Sequence, residues 1–232
     1  DLAYASGEVA PRHALPLILG HEIVGRVVAA GPAHASLVGK RVLVPAVMPC
    51  GACELCRAGR GNACPRQKMP GNDIDGGFAT HVLVPAAALV ALDDLPPSVD
   101  PRNLSVVADA VSTAYQAARR AALAKSDLAF VVGAGGVGGY AIQIARALGA
   151  RVVALDVSAA KLDAIAAHGA DCTVCVEGRA PKHVRKEVQR IMSAGGVRVG
   201  LSLERTLMQS GSKKQLTVLE RWEEQKYELQ SL

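Results

Sequence analysis

Aromatic side chains are nearly missing from this sequence: one Trp, two Phe and four Tyr in 232 residues. Stacking platforms for nucleic-acid bases need aromatics interleaved with lysine and arginine, so the formal charge of +5 does not by itself make such a surface. The interior has to be filled with Ala, Val and Leu instead, whose small volumes suit close packing of helix on sheet. Also lacking are an apolar run of membrane-spanning length and a secretory leader. These absences predict a cytoplasmic protein with neither a membrane nor a nucleic-acid partner. Cysteine is sparse, six in all, and four of the six fall between positions 50 and 64. Such clustering is unlike a secreted disulfide framework and fits a reducing compartment. No initiator methionine precedes Asp1, so a fragment or a processed form is expected.

The clustered cysteines are Cys50, Cys53, Cys56 and Cys64, at C-x2-C-x2-C-x7-C. Zinc favours four thiolates in a tetrahedron, and a tight loop supplies them at little entropic cost. The loop contains Gly51, Gly59 and Gly61 and almost no large apolar residue, so it cannot build a core of its own. A four-cysteine site leaves no position for substrate, which predicts a structural zinc. Arg57, Arg60, Arg66 and Lys68 lie around it to offset the thiolate charge. Four free or disulfide-linked cysteines are the plainer alternative.

Two regimes of periodicity follow one another. Up to residue 103, short β-branched runs are broken by glycine and proline. Ile23–Ala30, Lys40–Val44 and Phe78–Val84 read as strands of a small β barrel, with the zinc lobe at 46–70 inserted. From 104 to 196 strands alternate with helices: a helix over 104–124, then strands near 127–132, 151–155 and 171–176, each followed by a helical segment. This is the signature of a parallel sheet, an α/β fold. From 197 to 232 the pattern is lost, and a charge-dense helix is expected over 213–230.

In the second regime Phe130-Val131-Val132 runs into Gly133-Ala134-Gly135-Gly136-Val137-Gly138. A G-x-G-x-x-G loop between strand and helix lets the backbone approach a pyrophosphate at a helix N-terminus. Alone the motif is weak. Here the next strand ends in Asp156, about 20 residues on, where an acid accepts from ribose hydroxyls and repels a 2′-phosphate. NAD is therefore predicted over NADP.

The cysteine spacing, the Gly20-His21-Glu22 triplet and this glycine loop, in this order, resemble the zinc-dependent alcohol dehydrogenases of the medium-chain dehydrogenase/reductase superfamily. The resemblance implies a partial GroES-like β-barrel domain carrying the zinc lobe, then a partial Rossmann domain. It implies that His21 ligates a catalytic zinc, with Glu22 close by. It also aligns Asp109 with a further ligand and sets Thr113 beside the nicotinamide. An aspartate before a helix is equally a capping residue. Lys161 resembles a residue that approaches the adenosine ribose, and is otherwise a solvated helix lysine. The family's cysteine ligand and proton-relay hydroxyl would fall before residue 1, and its later Rossmann strands and returning C-terminal segment after 197. Truncation at both ends and weak catalysis by the chain alone are thus expected.

A narrower resemblance rests on Leu15–Glu22, Val44–Gly51, Met69–Ile74, Gly76–Ala79, Val107–Val111 and Val176–Pro181. These segments are similar to the 6-hydroxycyclohex-1-ene-1-carbonyl-CoA dehydrogenases of anaerobic benzoyl-CoA breakdown. It implies oxidation of a secondary alcohol on an acyl-CoA substrate. A different alcohol or polyol, or zinc and NAD binding without turnover, remain alternatives. The resemblance further implies a homo-oligomer of the full-length form.

Overall fold

Strand-forming residues meet in antiparallel register near the start of the chain. The strand β1 (Ile23–Arg26) pairs with β2 (Arg41–Val44), Ile23 opposite Val44 and Arg26 opposite Arg41. The far edge of β2 is taken by a two-residue strand, β3 (Val90–Ala91). Val42, Leu43 and Val44 are buried, as expected for the central strand of three. In this computed structural model residues 1–195 and the backbone of 199–202 are described. They fall into two compact units, Asp1–Asp109 and the residues from Ala110 onward.

The predicted strand over Phe78–Val84 does not form. Both edges of β2 are already occupied, and Phe78 and Leu83 stand 72% and 91% exposed. The segment instead begins by hydrogen-bonding to the loop before β1: the N–H groups of Gly76 and Phe78 donate to the carbonyls of Ile18 and Leu19. The chain opens with one short helical turn, α1 (Leu2–Ala5). The helix expected over 104–124 divides in two. A 3-10 helix, Pro101–Ala108, belongs to the first unit, where the Ala108 carbonyl accepts from the Ala46 N–H at 3.3 Å. Asp109 follows as the last residue of that unit. The two compact units divide after Asp109.

The cysteine loop carries the single helical turn α2 (Glu54–Arg57). At its base Met48 and Lys68 exchange two backbone hydrogen bonds, each 2.9 Å, and Met48 is almost wholly buried.

The second unit follows the α/β pattern of the sequence. Its elements are α3 (Ala110–Arg120), β4 (Leu128–Val132), α4 (Gly136–Ala147), β5 (Arg151–Asp156), α5 (Ala159–Ala166), β6 (Cys172–Cys175), α6 (Pro181–Gly195) and β7 (Val199–Ser202). The four strands are parallel, in the order β6-β5-β4-β7. Residues 199–202, assigned from the sequence to the divergent tail, are thus a strand of this sheet. The helix expected over 213–230 lies outside the described residues.

Period-two alternation sorts the core. Ala129, Val131, Val152 and Ala154 face Ala114, Ala141, Ile142, Ala145, Leu162 and Ile165 of α3, α4 and α5. Leu128, Phe130, Val153 and Leu155 face Val184, Val188, Ile191 and Met192 of α6. Alanine on both sides of the first interface is how this aromatic-poor chain brings helix backbones close to the sheet. No helix among the described residues is long and apolar enough to cross a membrane.

Candidate functional site

The cysteine loop converges on a point. The sulfurs of Cys50, Cys53, Cys56 and Cys64 all lie within 4.8 Å of one another. Measured pairs are 4.0 Å (Cys50–Cys56), 3.4 Å (Cys53–Cys56) and 3.8 Å (Cys53–Cys64). A regular tetrahedron around zinc with ordinary Zn–S bonds has an edge of about 3.8 Å. All six cysteines are free thiols, which removes the disulfide alternative. The backbone N–H of Ala52 is the main cause that draws the Cys50 thiol down to about 6. The Cys56 N–H lowers Cys53, whereas desolvation chiefly pushes Cys56 up to about 11. Arg66 hydrogen-bonds the Cys50 sulfur and has its own pKa raised by it. Donors arranged for anionic sulfur around one centre fit a divalent soft cation.

A second constellation forms where β1 begins. Gly20 has φ +101°, and a Cβ there would meet the Phe78 ring at 2.8 Å, so only glycine turns the chain here. The turn delivers His21, 19% exposed at its side chain. Its Nε2 lies 3.3 Å from Asp109 Oδ2, and its Nδ1 lies 3.4 Å from Asp1 Oδ1. The same Asp1 oxygen accepts from the Gly20 N–H at 3.1 Å. Two ligands on a tetrahedral zinc, one nitrogen and one oxygen, stand about 3.3 Å apart. The His21–Asp109 separation matches that edge. Glu22, half-buried, follows directly in β1's approach. Asp1 was not read as functional from the sequence. Its contact with His21 spans twenty positions.

The glycine loop leaves the carboxyl end of β4. Gly133 N–H donates to the Leu155 carbonyl at 2.7 Å, tying the loop to β5. Gly138 lies in the first turn of α4, and a Cβ on it would sit 1.7 Å from the Gly133 carbonyl oxygen, which forces glycine. Gly135 and Gly136 are exposed at the N-terminus of α4, while Val137 packs on the core. Asp156 ends β5 and is 8% exposed. Its Oδ2 accepts from Ala134 N–H at 2.6 Å and its Oδ1 from Ser158 N–H at 2.8 Å. Burial pushes this carboxyl up, but those two donors and nearby Lys161 outweigh it and hold the carboxyl below the usual range. Asp156 therefore shapes the glycine loop as well as offering its remaining lone pairs. Lys161, exposed, lies in the first turn of α5, where its N–H donates to the capping Ser158 side chain. Thr113 is exposed on α3, in the second unit.

Comparison with known proteins decides the family. Residues 1–94 match the alcohol dehydrogenase GroES-like domain, and residues 136–214 match the zinc-binding dehydrogenase family. The chain belongs to the zinc-dependent medium-chain alcohol dehydrogenases. The second match runs past 197, where the sequence pattern alone ended the resemblance. An alcohol dehydrogenase of Geobacillus stearothermophilus is 35% identical over 176 residues, covering 75% of this chain and 51% of the relative. Acryloyl-coenzyme A reductase of Metallosphaera sedula is 33% identical over 153 residues, 65% of this chain and 45% of that one. Among solved structures, an alcohol dehydrogenase from Thermus sp. ATN1 superposes with a TM-score of 0.76 at 31% identity, over 88% of this chain and 58% of that chain. The chain spans about half the length of the curated relatives it matches. Zinc and NAD are the cofactors of this family, and the site residues described above suit both.

Proposed function

We propose that the protein oxidises a secondary alcohol to a ketone, with the hydride passing to NAD. The observation that carries the reading is the 3.3 Å pairing of His21 Nε2 with Asp109 Oδ2, at the spacing of two ligands on one zinc. When bound there, zinc would polarise the substrate hydroxyl and favour its loss of a proton, while NAD would take up the hydride. His21 offers Nε2 to the metal because Asp1 faces Nδ1 and fixes the ring. Asp109 adds a carboxylate ligand, and Glu22 is near enough in sequence to lend a second. Thr113 would lie beside the nicotinamide. Gly133, Gly135, Gly136 and Gly138 receive the pyrophosphate on bare backbone, with Val137 anchoring the helix that follows. Asp156 and Lys161 hold the adenosine ribose, and the Asp156 charge disfavours a 2′-phosphate. Cys50, Cys53, Cys56 and Cys64 hold a second, structural zinc.

For the substrate we propose a cyclic hydroxyacyl-CoA, 6-hydroxycyclohex-1-ene-1-carbonyl-CoA. Support comes from the six sequence segments that resemble dehydrogenases of that compound, and from a relative named for an acyl-CoA substrate. A simple secondary alcohol or a polyol is the second reading, favoured by the relatives named as alcohol dehydrogenases. NAD reduction measured with the hydroxyacyl-CoA, an unactivated secondary alcohol and a polyol separates the two. Higher kcat/KM for the polyol than for the acyl-CoA would overturn the first. Reduction with none of the three, with NAD binding retained, would leave a zinc- and nucleotide-binding protein without turnover. The full-length protein is proposed to act as a cytoplasmic homo-oligomer.

A further inference from the structure

Among the described residues Asn72 is one of two buried polar or charged residues, the other being Asp156. Its surroundings explain the burial. The amide oxygen Oδ1 accepts from the Tyr4 hydroxyl at 3.0 Å and from the Arg12 N–H at 3.2 Å, and the Asn72 carbonyl accepts from the His13 N–H at 2.9 Å. Tyr4 lies in α1, the turn whose capping residue is Asp1; the Asp1 carbonyl accepts from the N–H groups of Tyr4 and Ala5. Asp1 in turn presents its carboxylate to the Gly20 N–H and to His21 Nδ1. A line of contacts therefore runs from Asn72 through Tyr4 and α1 to Asp1 and ends on the imidazole.

The segment containing Asn72 also holds the residues just before His21. Gly77 N–H donates to the Gly20 carbonyl at 2.9 Å, and Asp75 Oδ1 accepts from the Ile18 N–H at 2.9 Å. A Cβ on Gly76 would lie 2.2 Å from the Gly20 oxygen, so backbone rests directly on backbone. Residues 71–78 thus hold the main chain of Ile18, Leu19 and Gly20 that leads into His21, and Asn72 bonds the helical turn that carries Asp1.

We infer that Asn72 is a positioning residue for the metal site at His21, acting through Tyr4 and Asp1. The inference rests on the proposed reading of His21 as a metal ligand. Groups that orient a metal-bound histidine commonly change metal affinity 10–100-fold when lost. Asn72 acts further out, through Tyr4 and then Asp1, so the lower end, about tenfold, is expected.

Cobalt(II) tests this apart from turnover. Cobalt in the cysteine lobe shows thiolate charge-transfer absorption, whereas cobalt bound at His21 and Asp109 shows only visible d–d bands. In the unaltered protein a second cobalt should bind, and His21→Ala should abolish it. Asn72→Ala should weaken that second cobalt about tenfold and shift its d–d bands, with the charge-transfer bands unchanged. Tyr4→Phe, which removes one hydroxyl and serves if Asn72→Ala fails to fold, should weaken it in the same direction. In the Asn72→Ala background Tyr4→Phe should have no further effect, because the two act along one line. Unchanged cobalt affinity in folded Asn72→Ala, or in Tyr4→Phe, would overturn the positioning role while leaving the metal site intact. A second cobalt indifferent to His21→Ala would overturn the metal reading and this inference together.

Discussion

Asp156 shows how much one carboxylate can hold. Each oxygen is bound by a backbone N–H, one from the glycine loop and one from the residue that caps α5. Asp156→Ala should weaken NAD and narrow the margin over NADP, by removing an acceptor and a repulsive charge together. Because Ala134 N–H is then left without its acceptor, the loop should also loosen. Parallel titrations with NAD and NADP check this, and an unaltered NAD affinity would remove Asp156 from the site. Its pKa adds a second prediction. The folded-state value lies below the ordinary 3.8, so the stabilisation is complete above 3.8 and is lost as pH falls through the folded value. Asp156→Asn should therefore be less stable than the unaltered protein at neutral pH, with the gap closing in acid below that value. Denaturant midpoints measured across the acid range give the comparison.

The cysteine lobe and the sheet are the two elements whose chemistry the sequence spells out most fully. Cys53→Ser should lower zinc content by one equivalent and destabilise the lobe, since metal-binding energy in such a segment is folding energy. Full zinc content in that variant, measured by elemental mass spectrometry, would contradict the assignment. The lobe was legible because four cysteines at close spacing have few other uses. The parallel sheet was legible because β4, β5 and β6 are apolar runs followed at fixed distance by helices. The strand expected over Phe78–Val84 was misread for a physical reason. The segment is rich in apolar and β-branched residues, but it begins by bonding to the loop before β1 rather than to a strand. Strand β3 went unseen because two residues carry no period. The same limit hid Asp1, whose role exists only once residue 20 folds back on residue 1.

At the level of the whole molecule, two metal centres of unequal closure are proposed on one chain. The cysteine centre has four protein donors and a backbone clasp at its base, whereas the His21–Asp109 centre shows two facing donors beside Glu22. Brief chelation should therefore empty the second first. Activity should fall while the far-UV circular dichroism and one equivalent of zinc persist, and added zinc should restore it. Longer chelation should release the remaining zinc together with structure in the lobe. Simultaneous loss of both equivalents would show that the two centres do not differ in this way.

The clasp between Met48 and Lys68 has one more consequence. The chain enters and leaves the cysteine lobe through two residues that face each other as a hydrogen-bonded antiparallel pair. Seen from β2, everything between them is a cassette plugged into a socket one residue pair wide. Such a cassette should tolerate replacement by a short hairpin turn, because the pair that flanks it is already antiparallel and hydrogen-bonded.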